Sequence, residues 1–192
     1  MSPTHHDLLI IGAGSGNTVL GPEHDGWNVG IAEPWAFGGT CMNRGCIPSK
    51  MFVHTADLAL SARRAPELGV HTTFDGADWS AIRDRVFGRI DTIADAGRSY
   101  RVSLDDVTVY EDSAHFTGPR TVRIGERMVT AQQIVLAAGA RASVPNIPGL
   151  AATPYLTSDD VMRLENMPDR LVILGGGFIS VEMAHVFEAL GS

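Results

Sequence analysis

Apolar residues in this chain come in short runs punctuated by glycine, proline and charge. Residues 7–11 read Asp7-Leu8-Leu9-Ile10-Ile11, a continuous apolar run of the kind a parallel strand buried on both faces requires. A second run over 28–33 follows at βαβ distance. Between them 17–24 predicts only a short or broken helix, because Gly21 and Pro22 lie inside it. A helix is expected from near Cys41 to Arg64. Another is expected over 79–101, where Trp79, Ile82, Val86, Ile90 and Ile93 recur at spacings of three and four. Short β segments follow at 107–110, 121–124 and 127–129, the last two around a Gly125-Glu126 turn. Residues 133–138 return as a buried strand. The stretch 145–154, with Pro145, Pro148, Gly149 and Pro154, reads as a connection. Beyond it 171–174 predicts another buried strand, and Ile179, Met183, Val186, Phe187 and Leu190 mark one helix face. Strands alternating with helices define an α/β class.

Composition narrows the function classes. The 192 residues suffice for one domain and part of a second, and 44% hydrophobic content with mean hydropathy +0.05 excludes a disordered chain. Fifteen basic residues against 22 acidic ones leave a formal charge of −7, which argues against a nucleic-acid surface. No apolar run approaches the roughly 18 residues of a membrane span. The longest candidate, 171–181, holds three glycines. A strand-like run already starting at Asp7 leaves no room for a signal peptide, so a cytoplasmic location is expected. Glycine is frequent, at 21 residues, and Lys50 is the sole lysine beside 14 arginines.

Two motifs carry chemistry. The first is Gly12-Ala13-Gly14-Ser15-Gly16-Asn17. Such a loop after a buried strand lets backbone N–H groups meet a pyrophosphate. Asn17 stands where G-x-G-x-x-G has its third glycine. Glu33 closes the second strand 21 positions after Gly12, about where a carboxylate holds an adenosine ribose. A glycine turn in some other α/β fold fits the same residues.

The second motif contains the only two cysteines, Cys41 and Cys46. Zinc needs more ligands than two sulfurs, and the seven histidines are scattered. A structural disulfide is disfavoured in a cytosolic protein. A redox dithiol and two ordinary buried thiols both remain open. In an ideal helix, positions i and i+5 have Cα atoms roughly 8.6 Å apart, given the helical rise and radius. A disulfide tolerates about 7 Å. A bonded pair would therefore need a distorted helix start, for which Gly45 and Asn43 are permissive, and such a bond is expected to be reducible.

The stretch Gly38-Gly39-Thr40-Cys41-Met42-Asn43-Arg44-Gly45-Cys46-Ile47-Pro48-Ser49-Lys50 resembles the redox-active segment of the flavoprotein pyridine-nucleotide disulfide oxidoreductases. Thr130, Ala137 and Gly139, followed by Pro145 and Pro148-Gly149, resemble the second flavin-side motif of that family. Gly175-Gly176-Gly177-Phe178-Ile179-Ser180-Val181-Glu182 resembles its NAD(P)H loop, with Ser180 where Ala or Gly is usual. The match runs through essentially the whole chain in the family's order. Within the family, Ser15-Gly16-Asn17, the segment 85–91 and Ala184-His185-Val186-Phe187 resemble the mycothione reductases. Ile47-Pro48-Ser49-Lys50 is equally typical of the lipoamide dehydrogenases.

The resemblance implies an FAD-binding Rossmann-like domain of three-layer ββα type, carrying the redox disulfide, over residues 1–150. Residues 151–192 would be a linker and the truncated start of a second, NAD(P)-binding Rossmann-like domain. By the same resemblance Gly12, Gly14, Ser15 and Gly16 bind the FAD pyrophosphate, and Glu33 binds the adenosine ribose. Thr40 and Cys41 line the flavin end, Gly139 belongs to the second flavin-side motif, and Ala114 lies near the adenine. Cys46 is the flavin-proximal sulfur and Cys41 the interchange thiol. Lys50 sits near flavin N5 and pairs with Glu182. Gly175, Gly177 and Ser180 cradle the NAD(P)H pyrophosphate, NADPH being favoured, with Phe178 near the nicotinamide. The implied activity is reduction of a small disulfide, mycothione foremost, by a homodimeric full-length enzyme. A dihydrolipoamide dehydrogenase-type enzyme and a non-catalytic flavin-binding fragment are the alternatives. The family's His-Glu acid/base pair is expected outside these residues, so the chain alone is expected to be inactive. His5 and His6 are read as terminal, and His54, His115 and His185 as packing or surface residues.

Overall fold

A computed structural model of the chain describes residues 3–192. Contacts divide it into two compact units: residues up to Asn43 with 91–141, and residues 44–90 with 142–192. No helix among the described residues is long and apolar enough to cross a membrane.

The first unit is built on one six-stranded sheet in the order β3-β2-β1-β6-β5-β4. Its strands are β1 (Thr4–Ile11), β2 (Val29–Ala32), β3 (Val107–Tyr110), β4 (Ala114–Gly118), β5 (Thr121–Ile124) and β6 (Arg127–Leu136). β3, β2, β1 and β6 are parallel, while β4, β5 and the start of β6 form an antiparallel meander. Alternation along β1 separates two apolar faces. Leu8 and Ile10 pack with Val29, Ile31 and Phe37, and Leu9 packs with Ala32, Tyr110, Val122 and Val129. Both faces are covered, which is why the first strand has no polar alternation. The α/β class expected from the sequence is present.

Four elements differ from expectation. β1 begins at Thr4, three residues before the apolar run, and His6 is fully buried rather than terminal. Its Nδ1 bonds Asn28 Oδ1 at 2.7 Å, and its Nε2 bonds the Tyr110 hydroxyl at 2.7 Å, so a polar side chain completes the strand core. The segments expected at 127–129 and 133–138 are one strand. The first half of β6 pairs antiparallel with β5, and residues from Val129 onward pair in parallel with β1. β4 was not expected, because Ala114-His115-Phe116-Thr117-Gly118 has little apolar content and its pairing with β5 is what makes it a strand. Conversely, 171–174 forms no ladder among the described residues, and Val172 and Leu174 are exposed. An apolar run becomes a strand only when neighbouring backbone takes its hydrogen bonds.

The second unit is helical. The weak helix expected near 17–24 belongs to the first unit, and is two 3-10 segments, Ser15–Val19 and Pro22–His24, broken at Gly21 as the composition implied. The long helix expected from Cys41 is α1 (Gly39–Arg44), which lies in the first unit up to Asn43, and α2 (Cys46–Arg64); α3 spans Trp79–Val102, its residues from Asp91 on belonging to the first unit, and α4 spans Phe178–Leu190. α2 packs along α4. Phe52 stacks on Trp79 at 5.2 Å between centroids, and Trp79 meets Phe187 at 5.3 Å. The Trp79 Nε1–H donates to the Leu164 carbonyl at 2.8 Å, satisfying the indole in this packed setting. On α3 the buried row is Val86, Ile90 and Ala94, and Ile93 is left exposed.

The buried His6 makes stability pH-dependent. Burial pushes its imidazole below the ordinary 6.5, and the His5 charge adds to this, while the Asn28 hydrogen bond and Asp7 oppose it. The unfolded chain takes up a proton near pH 6.5 that the folded chain declines, so this stabilisation is full above 6.5 and is lost as pH falls below it. Between pH 7.5 and 5.5 the melting temperature of wild type should drop by about 2–4 °C more than that of His6→Gln. Equal drops in thermal melts would contradict this.

Candidate active site

The glycine loop sits at the carboxyl end of β1, where parallel-sheet proteins place ligands. Gly12 N–H donates to the Ala32 carbonyl at 2.8 Å, Ala137 N–H to Ile11 at 2.8 Å, and Gly38 N–H to Ala13 at 2.9 Å. The ends of β1, β2 and β6 and the segment before α1 are thereby tied at one place. Gly12 has φ +111°, and a Cβ there would lie 2.1 Å from the Ala137 carbonyl oxygen. Gly14 and Gly39 meet backbone to backbone: a Cβ on Gly39, which has φ +63°, would lie 2.6 Å from Gly14 Cα. No side chain fits at either crossing.

Glu33 is buried against this loop. One carboxylate oxygen accepts from Ala13 N–H at 2.9 Å and the other from Trp35 N–H at 3.0 Å. A carboxylate has about four acceptor sites, so the hydroxyl partner expected of Glu33 would use what these two bonds leave. Ser15 and Thr40 are exposed, Gly16 is half-buried, and Ala114 packs beside the cluster that includes Ala32. Gly139 is exposed with φ +74°. Loop, acid, Thr40 and Cys41 are therefore contributed by one unit.

Both cysteines are exposed. Cys41 lies in α1, and Cys46 is the first residue of α2. The helix break needed between them is present, and it is made by Gly45, at φ −135° and ψ −117°. Asn43, expected to share in the distortion, is helical, and no non-glycine residue has positive φ among those described. Its contribution is a side-chain clamp. Asn43 Nδ2 faces the carbonyls of Phe37 at 2.9 Å, Gly39 at 3.0 Å and Ala36 at 3.4 Å.

One turn beyond Cys46, Lys50 donates to Glu182 on α4, joining the pair expected from the family pattern across 132 positions. The Lys50 hydrogen bond holds the Glu182 carboxyl below the usual range, with the lysine charge and Ser49 assisting and desolvation opposing. A second α2–α4 contact was not foreseen: His185 Nε2 meets Asp57 Oδ1 at 2.8 Å. His185 lies in a segment that carried the family resemblance, but nothing in the sequence links it to Asp57, 128 positions away. Arg44 bonds Asp159 at 3.2 Å. Ahead of α4, Gly175 has φ +115° and Gly177 caps the helix, while Phe178 is exposed and Ser180 half-buried. Cys46, Lys50, Glu182 and this second glycine loop thus belong to the helical unit.

The first unit thus offers a glycine loop with a buried acid and the exposed Cys41, and the helical unit offers the exposed Cys46 with the paired Lys50 one turn on. Residues 6–192 match the family described as pyridine nucleotide-disulphide oxidoreductase, and the chain belongs to that family. It is 42% identical to a mycothione reductase of Mycobacterium tuberculosis (strain ATCC 25618 / H37Rv), over 97% of this chain and 42% of that protein. A glutathione reductase of Burkholderia cepacia is 33% identical over 96% of this chain and 41% of that protein. Among solved structures, the HOCl-induced flavoprotein disulfide reductase RclA from Escherichia coli superposes with TM-score 0.81 at 28% identity, over 97% of this chain and 40% of that one. The chain spans about two-fifths of the length of these relatives.

The Lys50–Glu182 pair is open to water on the lysine side, so it is worth at most about 1 kcal/mol. A double-mutant cycle with Lys50→Ala and Glu182→Ala should give a coupling of about 0.3–1 kcal/mol at neutral pH. Because the Glu182 pKa is depressed, the coupling holds above the ordinary carboxylate range and is lost as pH falls through the lowered value. A coupling that persists after Glu182 is protonated would contradict the pairing.

Proposed function

We propose that this chain is the FAD-binding and dithiol-bearing part of an enzyme that uses NAD(P)H to reduce a small disulfide, mycothione being the substrate favoured. The observation that carries this is the placement of Cys41 and Cys46 on either side of the Gly45 helix break, with the Lys50–Glu182 pair one turn further on. Supporting it are the 42% identity to a mycothione reductase and the glycine loop with its buried acid. Residues 1–150 form the FAD domain in this proposal, and 151–192 the linker and the start of the NAD(P)H domain. NADPH is the preferred donor, the full-length enzyme is a homodimer, and the reaction runs in the cytoplasm, where thiols are kept reduced.

Gly12, Gly14, Ser15 and Gly16 would hold the FAD pyrophosphate and Glu33 its ribose. Thr40, Ala114 and Gly139 would line the remainder of that site, and Gly175, Gly177, Phe178 and Ser180 would take the pyridine nucleotide. The fit rests on the crossing of Gly14 and Gly39, where no side chain intervenes, and on a buried acid facing the loop. A bound FAD would supply a two-electron acceptor for the NAD(P)H hydride and a reductant for the cysteine pair.

The disulfide chemistry is the chain's own. The Cys41 thiolate attacks one sulfur of the substrate, a mixed disulfide forms, and the first thiol leaves after gaining a proton. The Cys46 thiolate then attacks Cys41 sulfur, the Cys41–Cys46 bond forms, and the second thiol leaves. Lys50 places a cation near the flavin-side sulfur, and Glu182 holds that cation in position.

The test is spectroscopic and uses FAD-loaded chain reduced with dithiol. Cys41→Ser should retain a long-wavelength thiolate–flavin absorption, and Cys46→Ser should lose it. The reverse pattern would exchange the two roles. Reduced wild type mixed with mycothione should release two thiols per chain once, without sustained NADPH consumption. Release with lipoamide and none with mycothione would instead favour the dihydrolipoamide reaction.

A further inference from the structure

The first loop departs from the dinucleotide pattern at one residue, and that residue does not sit idle. Asn17 occupies the position of the third glycine, and its side chain turns back into the loop. Its Nδ2 donates to the Gly12 carbonyl at 2.8 Å, while its own N–H donates to the Gly14 carbonyl at 3.1 Å. The Gly12 carbonyl is thereby held by the side chain, whereas the Gly14 carbonyl is held by a main-chain bond that any residue here would make. The close helix–strand approach that a third glycine usually serves is taken by Gly16, where a Cβ would lie 2.2 Å from Ala137 Cβ.

Asn17 is also an expensive way to hold a loop. The residue is buried, and its Oδ1 has no hydrogen-bond partner. An unpaired buried acceptor lowers stability. Alanine or glycine would remove that orphan at the price of the Gly12 bond, so fold stability alone gives little reason for asparagine here. The donor half of the amide must serve something else.

We infer that Asn17 is a positioning residue that replaces the missing third glycine with an amide lock, holding the Gly12 carbonyl inward so that it does not oppose a dinucleotide pyrophosphate at the loop. The inference rests on the FAD reading above and goes beyond it by assigning this side chain a task. It carries an unusual corollary. Restoring the glycine of the common motif, Asn17→Gly, weakens flavin binding in this chain.

The test uses the chain with FAD, following the quenching of flavin fluorescence, with ADP and adenosine as smaller probes. Wild type should bind FAD, and both Asn17→Gly and Asn17→Ala should bind it at least about ten-fold more weakly, equivalent to roughly 1.4 kcal/mol. The preference for ADP over adenosine should shrink by a similar factor, because the lock acts on the pyrophosphate. The melting temperature of the ligand-free Asn17→Ala chain should stay within a few degrees of wild type. That combination separates positioning from general destabilisation, which would weaken adenosine and ADP alike and lower the melt. Asn17→Gly binding FAD as tightly as wild type, or more tightly, overturns the lock while leaving the flavin reading intact. Folded wild type that binds no FAD overturns the flavin reading and the lock with it.

Discussion

The part of the candidate site that lies in the first unit depends on the crossing of two glycines. Gly14 lies in the loop after β1, Gly39 opens α1, and no Cβ fits between them. The hydrogen bond from Gly38 N–H to Ala13 fixes the same crossing along the chain. Because Gly39 is two residues before Cys41, this backbone contact sets where the first thiol stands relative to the glycine loop. Asn43 then ties α1 to the segment ahead of it through the Ala36 and Phe37 carbonyls. The glycine loop and the exposed Cys41 are thus held by one backbone crossing.

The helical unit solves its problem by another route. Phe52, Trp79, Phe87 and Phe187 form its interior, and burying side chains of this size contributes several kcal/mol each on truncation. The Lys50–Glu182 and Asp57–His185 contacts are partly exposed and contribute far less. Apolar packing therefore decides that α2 and α4 associate. The polar contacts add register, placing the one lysine of the chain against its acid a turn beyond Cys46.

Periodicity revealed the elements whose signal is local. β1, β2, α3 and α4 could be seen from apolar runs and from spacings of three and four, and the break between the cysteines followed from helix geometry. β4 could not, because a half-polar pentapeptide becomes a strand only through its neighbour β5. His6 failed for a related reason: its burial is made acceptable by Asn28 and Tyr110, which are distant in sequence. The 171–174 run misled in the opposite direction, since apolar composition cannot supply a pairing partner. The Lys50–Glu182 pairing came from family resemblance alone, because no spacing rule links residues 132 positions apart. Asn43 and Asn17 stood within recognised motifs, but what their amides bond is a property of the folded loop.

A side-chain-free backbone crossing positions the first thiol against the glycine loop, and one substitution addresses it most directly. Gly39→Ala places a methyl 2.6 Å from Gly14 Cα, whereas Gly97→Ala on α3 places one in open space. In urea unfolding, Gly97→Ala should be neutral or stabilise by up to about 1 kcal/mol, as glycine-to-alanine does in a helix. Gly39→Ala should cost more than about 2 kcal/mol, combining overpacking with a left-handed backbone. Equal stabilities for the two variants would show that the crossing yields freely, and would contradict the account.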